Sequence, residues 1–229
     1  RLSGGAIQDY GNSEADYHDL QIDDTTFTLG ATLGVARDLT VSAGATLSLG
    51  TRSLNVGRNV NSTGTLNAGS GSVDVDGNLT ASSYSAGSAT TTVAGDWSVT
   101  TFTHNNGRVR FDGTGTVAAT TFFDLEVTAG TRTLGGALIV EDDVAILGGT
   151  LAAAGQTITV SGNWSNSGIL SAGGGEVIFV DASRSTGISG DTTFGDFTSV
   201  IPGKTLRFNE GSTQTVTGTF TVRGTLADP

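Results

Sequence analysis

Along most of the chain apolar and polar residues alternate in very short runs. Leu39-Thr40-Val41, Leu47-Ser48-Leu49, Leu54-Asn55-Val56, Val73-Asp74-Val75, Ile158-Thr159-Val160 and Phe220-Thr221-Val222 each read apolar–polar–apolar. A period of two places both apolar members on one side of an extended segment, so each run predicts a strand of three to five residues with one buried face. Spacings of three and four, which would mark an amphipathic helix, are nearly absent, and glycine interrupts almost every ten-residue window. Gly, Asn, Asp and Ser lie between the runs and supply the corners.

The alternation itself repeats. Asp19-Leu20-Gln21-Ile22 returns as Asp124-Leu125-Glu126-Val127, 105 residues on, and Thr28-Leu29-Gly30 returns at the same offset as Thr133-Leu134-Gly135. One deletion later, Leu54-Asn55-Val56 matches Ile158-Thr159-Val160, and Val73-Asp74-Val75 matches Val177-Ile178-Phe179. A third copy opens at Thr192-Thr193-Phe194-Gly195-Asp196. The predicted organisation is an N-terminal arm or cap over residues 1–16 and a repeat region over 17–229, with copies 17–121, 122–191 and a truncated 192–229. Within each copy runs a finer corner motif: a turn residue, then Asn or Asp, then an apolar residue. It appears as Arg58-Asn59-Val60, Gly77-Asn78-Leu79, Gly95-Asp96-Trp97 and Gly162-Asn163-Trp164, with apolar members 18 to 21 residues apart from Leu39 to Trp97.

A unit of about 20 residues holding two or three short strands cannot close a core alone and has to stack on its neighbours. The pattern therefore predicts an all-β fold, a right-handed parallel β-helix of about eleven coils. The competing fold, an antiparallel sandwich, gives no reason for a repeated block of 105 residues. Asn59, Asn78, Asp96 and Asn163 are expected to form a ladder at one corner, where short polar side chains bond their neighbours. Leu39, Val60, Leu79, Trp97, Val144, Trp164 and Phe220 are expected to fill the core.

Asn163-Trp164-Ser165-Asn166-Ser167-Gly168, Gly175-Glu176-Val177-Ile178-Phe179 and Gly211-Ser212-Thr213-Gln214-Thr215-Val216 resemble the β-strand repeats of large bacterial surface proteins. That class comprises the filamentous-haemagglutinin-like adhesins and autotransporter passengers. The resemblance covers about residues 17–229 and implies an extracellular, cell-surface β-helical stalk or fibre.

Composition narrows the chemistry. Eleven basic against 22 acidic residues give a net charge of −11, so phosphate backbones and anionic lipid headgroups would repel the surface. No nucleic-acid partner and no membrane insertion are expected; apolar stretches do not exceed four residues, as at Ala137-Leu138-Ile139-Val140. The absence of cysteine removes thiolate metal sites and thiol nucleophiles. Asp74 with Asp76, and Asp142 with Asp143, are weak calcium candidates against a reading as solvated turns. His18 and His104 fall in no catalytic spacing, and neither a catalytic residue nor a cofactor is expected. The leading function is a non-enzymatic structural or adhesive solenoid that associates head to tail with itself, with glycans or other cell-surface material as further partners. One alternative is a polysaccharide-acting lyase or hydrolase on the same scaffold, which would need converging carboxylates. Another is an ice- or surface-binding protein, suggested by Thr-x-Thr pairs such as Thr26/Thr28 and Thr101/Thr103, although their spacing along the chain is irregular.

Overall fold

The computed structural model describes residues 17–23 and 26–224, so the expected arm at 1–16 lies outside the described residues. Among the described residues the chain forms 29 strands and no helix. It divides into two units, Arg1–Gly115 and Thr116–Pro229, a boundary six residues before the end of the first sequence copy.

In the first unit the strands pair in parallel, each with its equivalent one turn away. Leu20 lies beside Leu39, Leu39 beside Val60, Val60 beside Leu79 and Leu79 beside Trp97. These steps of 19, 21, 19 and 18 residues are the spacings of the corner motif, because one repeat of sequence is one turn of backbone. A second sheet stacks Leu33–Val35, Leu54–Val56, Val73–Val75, Thr91–Val93 and Arg108–Phe111 in the same way. A third row is formed by Thr26–Thr28 on Thr46–Ser48, continuing into the second halves of the longer strands Val60–Asn67, Leu79–Ser85 and Trp97–Thr103.

The second unit repeats the plan. One sheet stacks Thr120–Phe122, Leu138–Val140, Ile158–Val160, Glu176–Phe179, Asp196–Ser199 and Phe220–Val222. Another stacks Asp124–Val127, Val144–Ile146, Trp164–Asn166, Thr186–Ser189 and Leu206–Phe208. A third joins Thr131–Leu134, Thr150–Ala152 and Ile169–Ser171. The protein is an all-β solenoid with about eleven turns of 19–20 residues.

Alternation decides what faces in. Leu39, Val60, Leu79, Trp97, Val144 and Trp164 are all essentially inaccessible to water. Each buried side chain of this size contributes roughly 1.5–3 kcal/mol relative to exposure, and stacking them in columns turns many short strands into one core per unit. Aromatic groups thicken that core. Trp97 meets Phe102 edge-on at 4.9 Å between centroids and Phe111 at 6.1 Å, while Trp164 lies 5.5 Å from Phe194.

Phe220 departs from expectation. It belongs to a different column from Trp164, above Phe197, and is 58% exposed rather than core. One side of its ring rests on Phe197 at 5.2 Å, and among the described residues no strand stacks on the other side.

Candidate functional site

The most regular polar constellation is the corner ladder. In the first unit the Asp19 carboxylate accepts the backbone N–H of Asp38 at 3.3 Å, and Asp38 accepts that of Asn59 at 3.2 Å. Asn59 accepts from Asn78 at 3.0 Å, and Asn78 from Asp96 at 2.7 Å. In the second unit Asp124 accepts from Asp143 at 3.2 Å, Asp143 from Asn163 at 2.7 Å, and Asn163 from Gly187 at 2.8 Å. Asn59, Asn78, Asp96 and Asn163 thus occupy ladder positions, and Asp19, Asp38, Asp124 and Asp143 extend them. Short side chains suit the role, because an Asn or Asp oxygen reaches one turn along the stack without leaving the corner.

The glycine that precedes so many ladder residues has a spatial reason. A Cβ at Gly95 would lie 2.3 Å from Asn78 Oδ1, and one at Gly162 would lie 2.4 Å from Asp143 Oδ1. The accepting oxygen sits beneath the Cα of the residue before the donor and leaves no room there. Among steps from one Asn or Asp to the next, those with Gly77, Gly95 or Gly162 before the donor measure 2.7–3.0 Å. Those with Arg37, Arg58 or Asp142 there measure 3.2–3.3 Å.

Where the ladder is built of carboxylates, like charges stack one turn apart, and cations gather. Arg37 lies 3.8 Å from Asp19 and 3.9 Å from Asp38, and Arg58 lies 3.6 Å from Asp38. In the second unit Asp124, Asp142 and Asp143, each half-buried, bring one carboxylate oxygen apiece within 4.8 Å of one another. Arg184 answers them from 42 residues away, donating through Nη1 to Asp142 Oδ1 at 2.7 Å and through Nη2 to the Glu141 carbonyl at 2.7 Å. Partial burial, then the neighbouring Asp143, push the Asp142 carboxyl above the usual carboxylate range, against the pull of Arg184.

The loop that delivers Arg184 is itself pinned. Asp181 accepts from the Ser183 backbone N–H at 2.9 Å and from Arg184 Nε at 3.2 Å. The sole lysine, Lys204, donates to the carbonyls of Ser161, Asp181 and Arg184 at 3.0–3.3 Å. Partial burial draws its ammonium below the ordinary lysine range.

The three carboxylates supply three oxygens of the six to eight that calcium takes. All three are already engaged, since Asp124 Oδ1 accepts the Asp143 N–H, Asp143 Oδ1 receives both the N–H and the Nδ2 of Asn163, and Asp142 holds Arg184. Asp142 and Asp143 therefore meet, joined by Asp124, whereas Asp74 and Asp76 do not join such a group among the described residues. Both of the latter are exposed, on and just after the strand Val73–Val75. Loss of hydration beside the neighbouring strands, then the charges of Asp76 and Asp112, raise the Asp74 carboxyl.

Sequence reasoning missed Asp124 and Arg184. Asp124 carries the corner signature in the form Asp-Leu after Phe123, without the preceding glycine that marks Asn78 or Asn163. Nothing in the local pattern around Arg184 reports that its turn is lengthened to 24 residues between Trp164 and Ile188. Comparison of the chain with protein-family models, with curated proteins and with solved structures finds no match.

Proposed function

We propose that the chain is a non-enzymatic, extracellular structural or adhesive solenoid, a segment of a cell-surface stalk or fibre that associates end to end with further copies of itself. The observation that supports this reading is the stacking itself, in which each turn offers the next the same core columns and strand edges, the last described turn included. Phe208, Phe220 and Val222 stand on Ile188, Phe197 and Ser199, all buried, yet are themselves 50%, 58% and 48% exposed. Core columns and strand edges presented together are a template for another turn of the same kind. A contact between unlike ends need not close into a ring, so it extends into a fibre. The carboxylate cluster supports a structural role in preference to hydrolysis. Each of its carboxylates already accepts a hydrogen bond of the fold, Asp124 from the Asp143 N–H, Asp143 from Asn163 and Asp142 from Arg184.

The test is sedimentation velocity over a hundredfold concentration range, with negative-stain imaging of the same samples. The expected result is elongated, concentration-dependent species that Phe220→Asp and Phe208→Asp abolish while circular dichroism keeps the β signature. A compact monomer at every concentration would overturn the proposal.

A further inference from the structure

A hydroxyl-bearing outer face lies in the first unit, independent of any end-to-end association. The register places Thr26, Thr46, Thr65, Ser83 and Thr101 side by side in one column. Two residues further along the same strands, Thr28, Ser48, Asn67, Ser85 and Thr103 form a second. Between the columns, Phe27, Leu47, Leu66 and Tyr84 point inward and are buried, so the ten flanking side chains are held outward. Six are Thr, three Ser and one Asn. Thr-x-Thr pairs 75 residues apart in the chain, Thr26/Thr28 and Thr101/Thr103, thus fall into the same two files. The irregular spacing that weighs against a lattice in the sequence disappears in the fold, because each turn absorbs its own insertions at the corners.

The geometry points to an ice-crystal surface as the ligand of this face. Adjacent strands repeat at about 4.8 Å and alternate residues at about 6.6 Å, giving a regular two-dimensional polar array to which a layer of water can hydrogen-bond. Each of the nine hydroxyls can donate and accept, so the array can join a hydrogen-bonded water lattice in either sense, with Ser85 Oγ already accepting from Asn105 Nδ2 and Asn67 Oδ1 from the Gly69 N–H. Threonine is stiff at χ1, and a parallel sheet fixes its backbone, so the array is ordered before it binds. The ten positions carry no charge in a chain of net charge −11, which matches an uncharged partner and no ionic one. Of the aromatic residues between the columns, Phe27 and Tyr84 are turned into the core and Phe102 is half-buried against Tyr84 and Trp97, which leaves little stacking surface for a sugar ring.

The experiment freezes the fluorescently labelled full chain slowly into a growing ice hemisphere and measures its partition, alongside inhibition of recrystallisation. The expected result is incorporation of the native chain, with Thr65→Lys and Ser83→Arg reducing it at least tenfold. Thr159→Lys, on an outward position of the second unit, should leave it unchanged. Circular dichroism and unfolding midpoints confirm that the variants are folded, and both substituted side chains point to solvent. Exclusion of the native chain from ice, or equal incorporation of the Lys and Arg variants, would overturn the inference. So would pelleting with crystalline cellulose that shows the same variant dependence without any ice activity, which would assign the face to a neutral glycan.

Discussion

Substituting Gly162 by alanine tests the physical basis of the corner motif. An added Cβ would lie 2.4 Å from Asp143 Oδ1, 2.5 Å from the Asp142 carbonyl oxygen and 2.6 Å from its carbon. Two of these atoms are backbone of the neighbouring turn, so a rotamer change cannot relieve the clash. The turns have to separate locally by about half an ångström or more, and hydrogen bonds weaken steeply beyond normal length. Two bonds stand at this point, Asn163 N–H to Asp143 at 2.7 Å and Gly162 N–H to the Asp142 carbonyl at 2.9 Å. At a net value of about 1 kcal/mol for a neutral bond and about 1.5–3 kcal/mol for one to a carboxylate, their loss costs roughly 2–4 kcal/mol. Reduced freedom of the unfolded chain offsets about 0.4–1 kcal/mol of this. Gly162→Ala is therefore expected to destabilise the second unit by about 1–3 kcal/mol in urea titration followed by circular dichroism. Arg58→Ala is the control, because that corner already accommodates a side chain and loses only exposed ion pairing, worth under about 1 kcal/mol. A Gly162→Ala protein within about 0.5 kcal/mol of the native one would refute the argument that space beneath the ladder selects glycine.

Two further expectations concern polar groups. Ser62 is buried in an inward column beside Val41 and Ala81, and its hydroxyl finds no hydrogen-bond partner, so Ser62→Ala should be neutral or stabilising by up to about 1 kcal/mol in the same titration; a clear loss of stability would contradict it. Asp142 has a carboxyl raised in the folded chain, so the fold binds its proton more tightly than the unfolded chain does. Its stabilising contribution is therefore present at low pH and lost as pH rises through the raised value. Asp142→Asn, which keeps an acceptor for Arg184, should flatten that fall when unfolding midpoints are plotted against pH, and an unchanged slope would refute the assignment.

The repeat was legible in the chain because a solenoid uses each turn in the same way. A strand needs apolar–polar–apolar, a corner needs Asn or Asp with a small residue before it, and the spacing of such motifs is the length of a turn. Leu39, Val60, Leu79 and Trp97 could be placed in one column before any coordinates for that reason. The joining of Asp124 to Asp142 and Asp143, the long loop that brings Arg184 to Asp142, and the alignment of Thr26 with Thr101 were not legible. Each depends on how many residues a corner absorbs, and insertions there leave no periodic trace. Phe220 shows the same limit from the other side: its local sequence is that of a buried position, but burial requires a neighbour on both faces of the turn, and stacking alone decides that. Local alternation, acting through the two-residue period of a strand, thus determined the strands and the side each residue faces. Only the register of stacked turns decided which polar groups meet, because proximity across a parallel ladder is set by path length through the corners.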